Sequence, residues 1–264
     1  MSKAGLRYLT EDQLISFIIN GFLIVEDVLS ANEVKVLSER CDMIAAGEAG
    51  HIPETSLQLE QVFREGKKPV ENQVLATRKL FDIAVYDPVM WEHVVHPKII
   101  AIIIDLLNTQ DIKLYGDQLF MKPAKVGAEV PWHQDSASWR DIFPMEMVSA
   151  WTAIDEATEE NGCLTYIPGT HRWGMMHKSK VNWFSSDFGS DQWPIISAPL
   201  KPGSISFHHS LTLHRTCANL SGKRRRGYSV HYMRATSRKD ETVTDAPKMP
   251  PLKQVCGRSF ENCV

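Results

Sequence analysis

The sequence changes character at residue 112, and this switch limits the folds open to the chain. Downstream come short β-rich runs: "IKLYGDQLFMKP", "EVPWHQD", "VSAWTAID", "CLTYIPG", "SISFHH" and "GYSVHYM". Gly, Pro, Asn and Asp punctuate them, and no helical run of useful length intervenes. Many short strands separated by turn signals predict an antiparallel sandwich or barrel.

Upstream, helices dominate. "TEDQ" at Thr10–Gln13 has the capping-box form and predicts a helix over about 11–19, ended by Gly21. "FLIVE" reads as a short strand. "SANE" at Ser30–Glu33 opens a second helix to roughly 46. Residues 47–77 lack a period and read as loop. "DPVMWEHVVHPKIIAIIIDLL" predicts two helices broken at Pro97, with Asp87 as N-cap and Pro88 at the first helical position. Residues 235–264 read as an extended tail. The expectation is one α+β domain over 1–264. Residues 10–111 form mainly helical support and 112–234 a β-core. The helices pack on one sheet of a double-stranded β-helix, the jelly-roll or cupin-like arrangement.

Composition narrows the setting. With 264 residues there is enough chain for a sizeable core, and a net charge of −3 gives no global reason to bind nucleic acid or an anionic membrane. Five cysteines without a CxxC pair argue against a disulfide framework or structural zinc and favour a reducing cytoplasm. "MSKAGLRYLTEDQ" has no secretory h-region, and the apolar run "IIAIIIDLL" is too short to span a bilayer.

The chemistry centres on "WHQD". In a strand, residues i and i+2 share a face, so His133 and Asp135 are expected side by side. Two histidines and one carboxylate on one face of an ion leave three positions open, the arrangement of non-haem Fe(II) oxygen chemistry. The third ligand would come from His208, His209, His214 or His231. His214 stands out because Arg225 follows eleven residues later, at the start of a strand. Strand alternation puts Arg225, Gly227, Ser229 and His231 on one face. Arg226, Tyr228, Val230 and Tyr232 take the other, and Lys223 and Arg224 are left in the turn. A buried arginine beside a metal suits a small dicarboxylate such as 2-oxoglutarate.

"WHQD", "WTAIDEATEENGCLTYIPGTHRWG" (151–174), "HRTCANLSGKRRRGYSVHYM" (214–233) and "NGFLIVEDVLSANE" together resemble the phytanoyl-CoA dioxygenase (PhyH-like) family of Fe(II)- and 2-oxoglutarate-dependent oxygenases. The resemblance spans most of 10–234. It implies metal on His133, Asp135 and His214, and 2-oxoglutarate on Arg225, with Trp151 and Gln118 lining its pocket. Arg78 in "ATRKLFD" aligns with a further contact, and His231 reaches toward substrate or is a satisfied interior histidine. His208 and His209 are not expected to bind metal. The family's halogenases lack the carboxylate, so Asp135 argues for oxygen transfer.

The expectation is therefore an oxygenase using Fe(II), 2-oxoglutarate and O2, most simply a hydroxylase of a small metabolite or natural-product intermediate. No basic cluster outside "KRRR" awaits a CoA phosphate. Desaturation, epoxidation or cyclisation with the same cofactors is the alternative. A cupin-like isomerase or lyase and a non-catalytic binding protein are the rivals. Residues 47–77 and 174–197 are candidate lids, the latter carrying Trp183, Phe184, Phe188 and Trp193.

Overall fold

The computed structural model describes residues 5–176, 193–243 and 250–264. Helix α1 (Glu11–Asn20) begins at the Thr10 capping box and ends at Gly21, which takes the left-handed conformation at φ 78°. A side chain at Gly21 would also strike His171 and Thr212. Strand β1 (Phe22–Val25) follows, then α2 (Ala31–Ala45) behind a second complete capping box at Ser30.

The expected loop over 47–77 contains more structure than its composition suggests. It holds β2 (Leu57–Leu59), α3 (Gln61–Arg64), α4 (Gln73–Ala76) and the start of β3 (Thr77–Phe81). Each is too short to display a period. Helix α5 (Pro88–Val94) is capped by Asp87, which accepts from the Val89 and Met90 N–H groups. Helix α6 (Pro97–Leu107) starts at Pro97, as the break predicts.

Then come β4 (Ile112–Lys122), β5 (Val130–His133), β6 (Ile142–Phe143), β7 (Val148–Ala153), β8 (Leu164–Tyr166), β9 (Ile196–Ala198), β10 (Ile205–His209), β11 (His214–Thr216) and β12 (Arg225–Arg234). Two more strands, β13 (Arg238–Lys239) and β14 (Lys253–Cys256), lie in the stretch expected to be an extended tail.

The larger sheet runs β1-β10-β7-β12-β4-β3-β2, with β14 also on β4. The smaller runs β5-β11-β8-β9. Two antiparallel sheets make the double-stranded β-helix. The division into helical support and β-core is blurred, because β1 pairs with β10 and β3 with β4. The N-terminal part thus extends the large sheet at both ends, and β14 of the tail pairs with β4.

The helices cover one face of the large sheet. Ile99, Ile102, Ile103 and Leu107 of α6 meet Val148, Ala150, Tyr228, Val230 and Tyr232 in the principal core. Each such aliphatic side chain contributes about 1.5–3 kcal/mol on burial. The Tyr232 hydroxyl donates to the Val94 carbonyl at 2.8 Å, tying α5 to the same face. No helix among the described residues is long and apolar enough to cross a membrane.

Asp87 joins these layers. It is buried, caps α5 and accepts from Arg40 Nε of α2 at 2.7 Å. Asp87→Ala removes the cap and leaves Arg40 without its carboxylate. The expected loss is about 2–4 kcal/mol, read as a lower urea midpoint. An unchanged midpoint would show that the junction carries no stability.

Candidate metal centre

His133 ends β5 and His214 begins β11, and the two are cross-strand partners in the smaller sheet. Their rings lie 4.1 Å apart, centroid to centroid. Asp135 is placed by a different device from the one expected. The strand stops at His133, and a 3-10 turn over Asp135–Ala137 swings the carboxylate back. Asp135 Oδ1 then sits 3.6 Å from His133 Nε2 and 3.7 Å from His214 Nε2. Among the described residues this is the group of three able to hold a metal ion.

The hydrogen bonds around the triad dictate where its protons sit. His133 Nδ1 donates to the Pro131 carbonyl at 2.8 Å, and His214 Nδ1 to the Thr212 carbonyl at 2.9 Å. Each histidine thus uses the carbonyl two residues earlier, and each Nε2 lone pair is left facing Asp135. The other carboxylate oxygen, Oδ2, accepts from the Ser149 hydroxyl at 2.7 Å and from His208 Nε2 at 3.1 Å. Burial opposes the Asp135 charge, but the histidines around it, His208 donating through Nε2–H, hold the carboxyl well below its usual range. Burial, reinforced by His133, holds His214 neutral.

His208 is a component that sequence reasoning undervalued. Its side chain points inward, while His209 lies outside beside His171. Since Nε2–H serves Asp135, Nδ1 accepts from the Tyr166 hydroxyl at 3.1 Å, and Tyr166 in turn accepts from Ser206 at 2.8 Å. The signal was available: Ser206 and His208 share a strand face.

A cavity of about 340 Å³ opens over the triad, lined also by Trp151, Gln118, Lys79, Thr216, Arg225 and His231. Arg225 is 1% exposed. Its Nη2 donates to the Gly162 carbonyl at 2.8 Å, but Nε and Nη1 have no partner. Burial lowers its pKa to about 10. The Thr216 hydroxyl, two residues beyond His214, is likewise buried and unpartnered. Trp151 lies beneath the guanidinium at 5.2 Å. It fits because residue 227 is glycine; a Cβ there would fall 1.8 Å from the indole.

Arg78 is not among the cavity residues. It pairs at 3.0 Å with the buried Glu60. Its neighbour Lys79 faces the cavity, lying 4.5 Å over the Phe120 ring and donating to Gln118 Oε1 at 3.4 Å. Burial, then Arg78, lowers Lys79 to about 8. The one-residue difference follows from strand alternation on β3. The neighbours of Arg225 in "KRRR" are committed elsewhere: Arg224 pairs with Asp42, and Arg226 with Asp42 and Asp155. Of the proposed lid aromatics, Trp183, Phe184 and Phe188 lie outside the described residues. Trp193 packs edge-on against Trp173 at 4.8 Å.

On a double-stranded β-helix, two histidines and an aspartate converging beside an unpaired arginine place the protein among the non-haem iron oxygenases that consume 2-oxoglutarate. The chain belongs to the phytanoyl-CoA dioxygenase (PhyH) family, whose model matches residues 17–227. A probable phytanoyl-CoA dioxygenase of Caenorhabditis elegans is 26% identical over 234 residues, covering 81% of this chain and 72% of that protein. Among solved structures, EctD from S. alaskensis with 2-oxoglutarate and 5-hydroxyectoine superposes with a TM-score of 0.76 at 20% identity, over 98% of this chain and 86% of that one. The carbocyclase SnoK from nogalamycin biosynthesis gives 0.72 at 20%, over 92% and 93%. At these identities the two structures share the fold.

Gly227→Ala tests the fit of Trp151. The added methyl forces the indole off its seat, with an expected loss of about 1–3 kcal/mol in a denaturation midpoint and a changed near-ultraviolet circular dichroism spectrum. An unaltered spectrum would mean that Trp151 is not held against β12.

Proposed function

We propose that the protein hydroxylates an unactivated C–H bond of a small molecule, using Fe(II), 2-oxoglutarate and O2. One observation carries the reading: the buried Arg225 guanidinium, which shares a cavity with the triad and has two N–H groups without partners. A buried charge costs several kcal/mol unless it is paired, so this cavity calls for an anion. A dicarboxylate fits, with one end at Arg225 and the Thr216 hydroxyl and the other within reach of the triad. An isomerase or lyase on the same fold has no need of such a clamp.

In this reading His133 Nε2, His214 Nε2 and Asp135 Oδ1 hold Fe(II), a mixed nitrogen and oxygen set suited to that ion. The bound metal and 2-oxoglutarate supply the oxygen activation, yielding succinate, CO2 and one oxygen atom for the substrate. The chain orients and shields. Ser149 and His208 fix the Asp135 carboxylate so that one oxygen remains for the ion. Trp151 and Leu164 give the co-substrate apolar walls, and Gln118 and Lys79 line the cavity from β4 and β3, beside β12 in the same sheet. Burial of these groups keeps bulk water from the reacting atoms.

Anaerobic addition of Fe(II) and 2-oxoglutarate tests the reading through the visible charge-transfer band of the complex. Succinate release against metabolite pools then finds the substrate. A product gaining one oxygen atom indicates hydroxylation or, where the substrate has a double bond, epoxidation, which the fate of that double bond distinguishes. Loss of two hydrogens indicates desaturation or ring closure, the latter being the outcome that the name of SnoK describes.

His133→Ala and Asp135→Ala should each abolish both the band and succinate release. A wild-type band in either variant would refute the metal assignment. Arg225→Ala should weaken 2-oxoglutarate by about 2–5 kcal/mol, roughly 30-fold to several thousandfold, with Fe(II) affinity nearly unchanged. Unaltered 2-oxoglutarate affinity would rule out the clamp.

A further inference from the structure

Among the described residues, two acceptor groups beside the metal cavity lack a side-chain donor. The first is His231 Nε2. The Ser149 hydroxyl donates to Asp135 and so has only lone pairs left for His231 Nδ1, 2.8 Å away. The ring proton of His231 is therefore on Nδ1, and Nε2 carries a bare lone pair. His231 is 4% exposed, Nε2 has no partner, and the ring lines the cavity.

The second is the Asp82 carboxylate, just past the end of β3. It is half-buried; the Asp117 backbone N–H reaches it, but among the described residues no side chain donates to it and no cation pairs with it. The nearby Asp117 differs, accepting from the Ile83 and Ala84 N–H groups and the Tyr228 hydroxyl. Burial raises the Asp82 pKa, as expected of a carboxyl with no cation beside it. Asp82 lines a recess of about 280 Å³ that adjoins the metal cavity, the two sharing Phe81, Gln118, Ser138, Trp139 and His231. Aromatic rings make up much of its wall, beside Asp117, Gln118 and Ser138. Tyr115 and Trp139 lie 4.8 Å apart, and Trp139 meets His231 edge-on at 4.5 Å.

Polarity along β12 separates this recess from the co-substrate. Arg225 and His231 are six residues apart, about 20 Å along a strand. Lys79 is paired with Phe120, which is level with Gly227, toward the Arg225 end. The recess opens at the His231 end, level with Gly116. Arg225 thus sits at one end of the cavity and the free acceptors at the other, with the Lys79 ammonium between them beside Gln118.

We propose that the recess takes the positively charged, hydrogen-bond-donating end of the primary substrate, an amine or ammonium. Asp82 supplies the countercharge, Tyr115 and Trp139 the ring surfaces that attract a cation, and His231 Nε2 an acceptor. An anionic end would face the Asp82 carboxylate and the His231 Nε2 lone pair. The proposal rests on the oxygenase reading for the position of the reacting centre, but the binding preference does not depend on turnover.

The test uses the full chain, loaded anaerobically with Fe(II) and 2-oxoglutarate, and size-matched probes: phenethylammonium, phenethyl alcohol and phenylacetate. Calorimetry should find the ammonium bound about tenfold or more tightly than either other probe, a difference of about 1.4 kcal/mol. Asp82→Asn should erase that preference and leave the charge-transfer band intact. Asparagine suits position 82, where φ is 51°. Equal or tighter binding of phenylacetate, no binding of the ammonium, or a preference that survives Asp82→Asn would overturn the proposal. Loss of the band with the ammonium preference intact would instead refute the oxygenase reading and leave the recess assigned.

Discussion

Strand β12 must satisfy two interiors at once. Arg225 through Met233 are all buried, and their alternation is strict through the site. Tyr228, Val230 and Tyr232 enter the core beneath the helices, while Arg225, Ser229 and His231 face the cavity. A slip of one residue would drive a guanidinium and an imidazole into that core and turn two tyrosines onto the metal centre. The register with β4 holds from Arg225 to His231, and the irregularity comes after it. The extra residue, Tyr115, belongs to β4, so β12 keeps its parity. Tyr115 instead packs on Trp139, away from the main core.

The neighbouring strands obey the same rule. On β7, Val148 and Ala150 face the helices, while Ser149 and Trp151 face the cavity. On β10, Ile205 and Phe207 oppose Ser206 and His208. Three adjacent strands thus deliver a polar set to one place. The set is self-consistent: Ser206 donates to Tyr166, Tyr166 to His208, and His208 and Ser149 to Asp135. Each donor in this chain of bonds has an acceptor, and the one carboxylate oxygen left over faces both histidines. Such a network is rigid because breaking any link strands a buried polar group, at about 1–3 kcal/mol each.

Regular elements were legible because their signals are local. Both capping boxes, the Asp87-Pro88 helix start and the alternation of β12 follow from neighbours a few residues apart. The convergence of His133, Asp135 and His214 was also anticipated, but through strand alternation, whereas a turn delivers Asp135. Turn geometry depends on where pairing stops, and β5 stops because β11 offers it no further partner. The segments β2, β3 and β14 were missed because each is fixed by a distant strand edge. The cavity roles of Lys79, His208 and Thr216 were missed for a related reason. Single polar residues acquire a role only when their strand's facing is known. Arg78 and Lys79 make the point, since one residue of phase separates a pair with Glu60 from a place in the cavity.

The unpartnered atoms give the cavity its direction. Protein interiors rarely tolerate buried polar groups without partners, yet Arg225, Thr216 and His231 all present them to one continuous space. They differ in kind. Arg225 can only donate, and its charge demands an anion. His231 Nε2, its proton drawn to the other nitrogen by Ser149, can only accept. Asp135 stands at the junction, since the serine that orients its carboxylate also sets the tautomer of His231. The hydrogen bond that frees one carboxylate oxygen for the metal thus also decides what kind of group the far wall receives. In the proposed site, metal geometry and substrate polarity are coupled through a single hydroxyl.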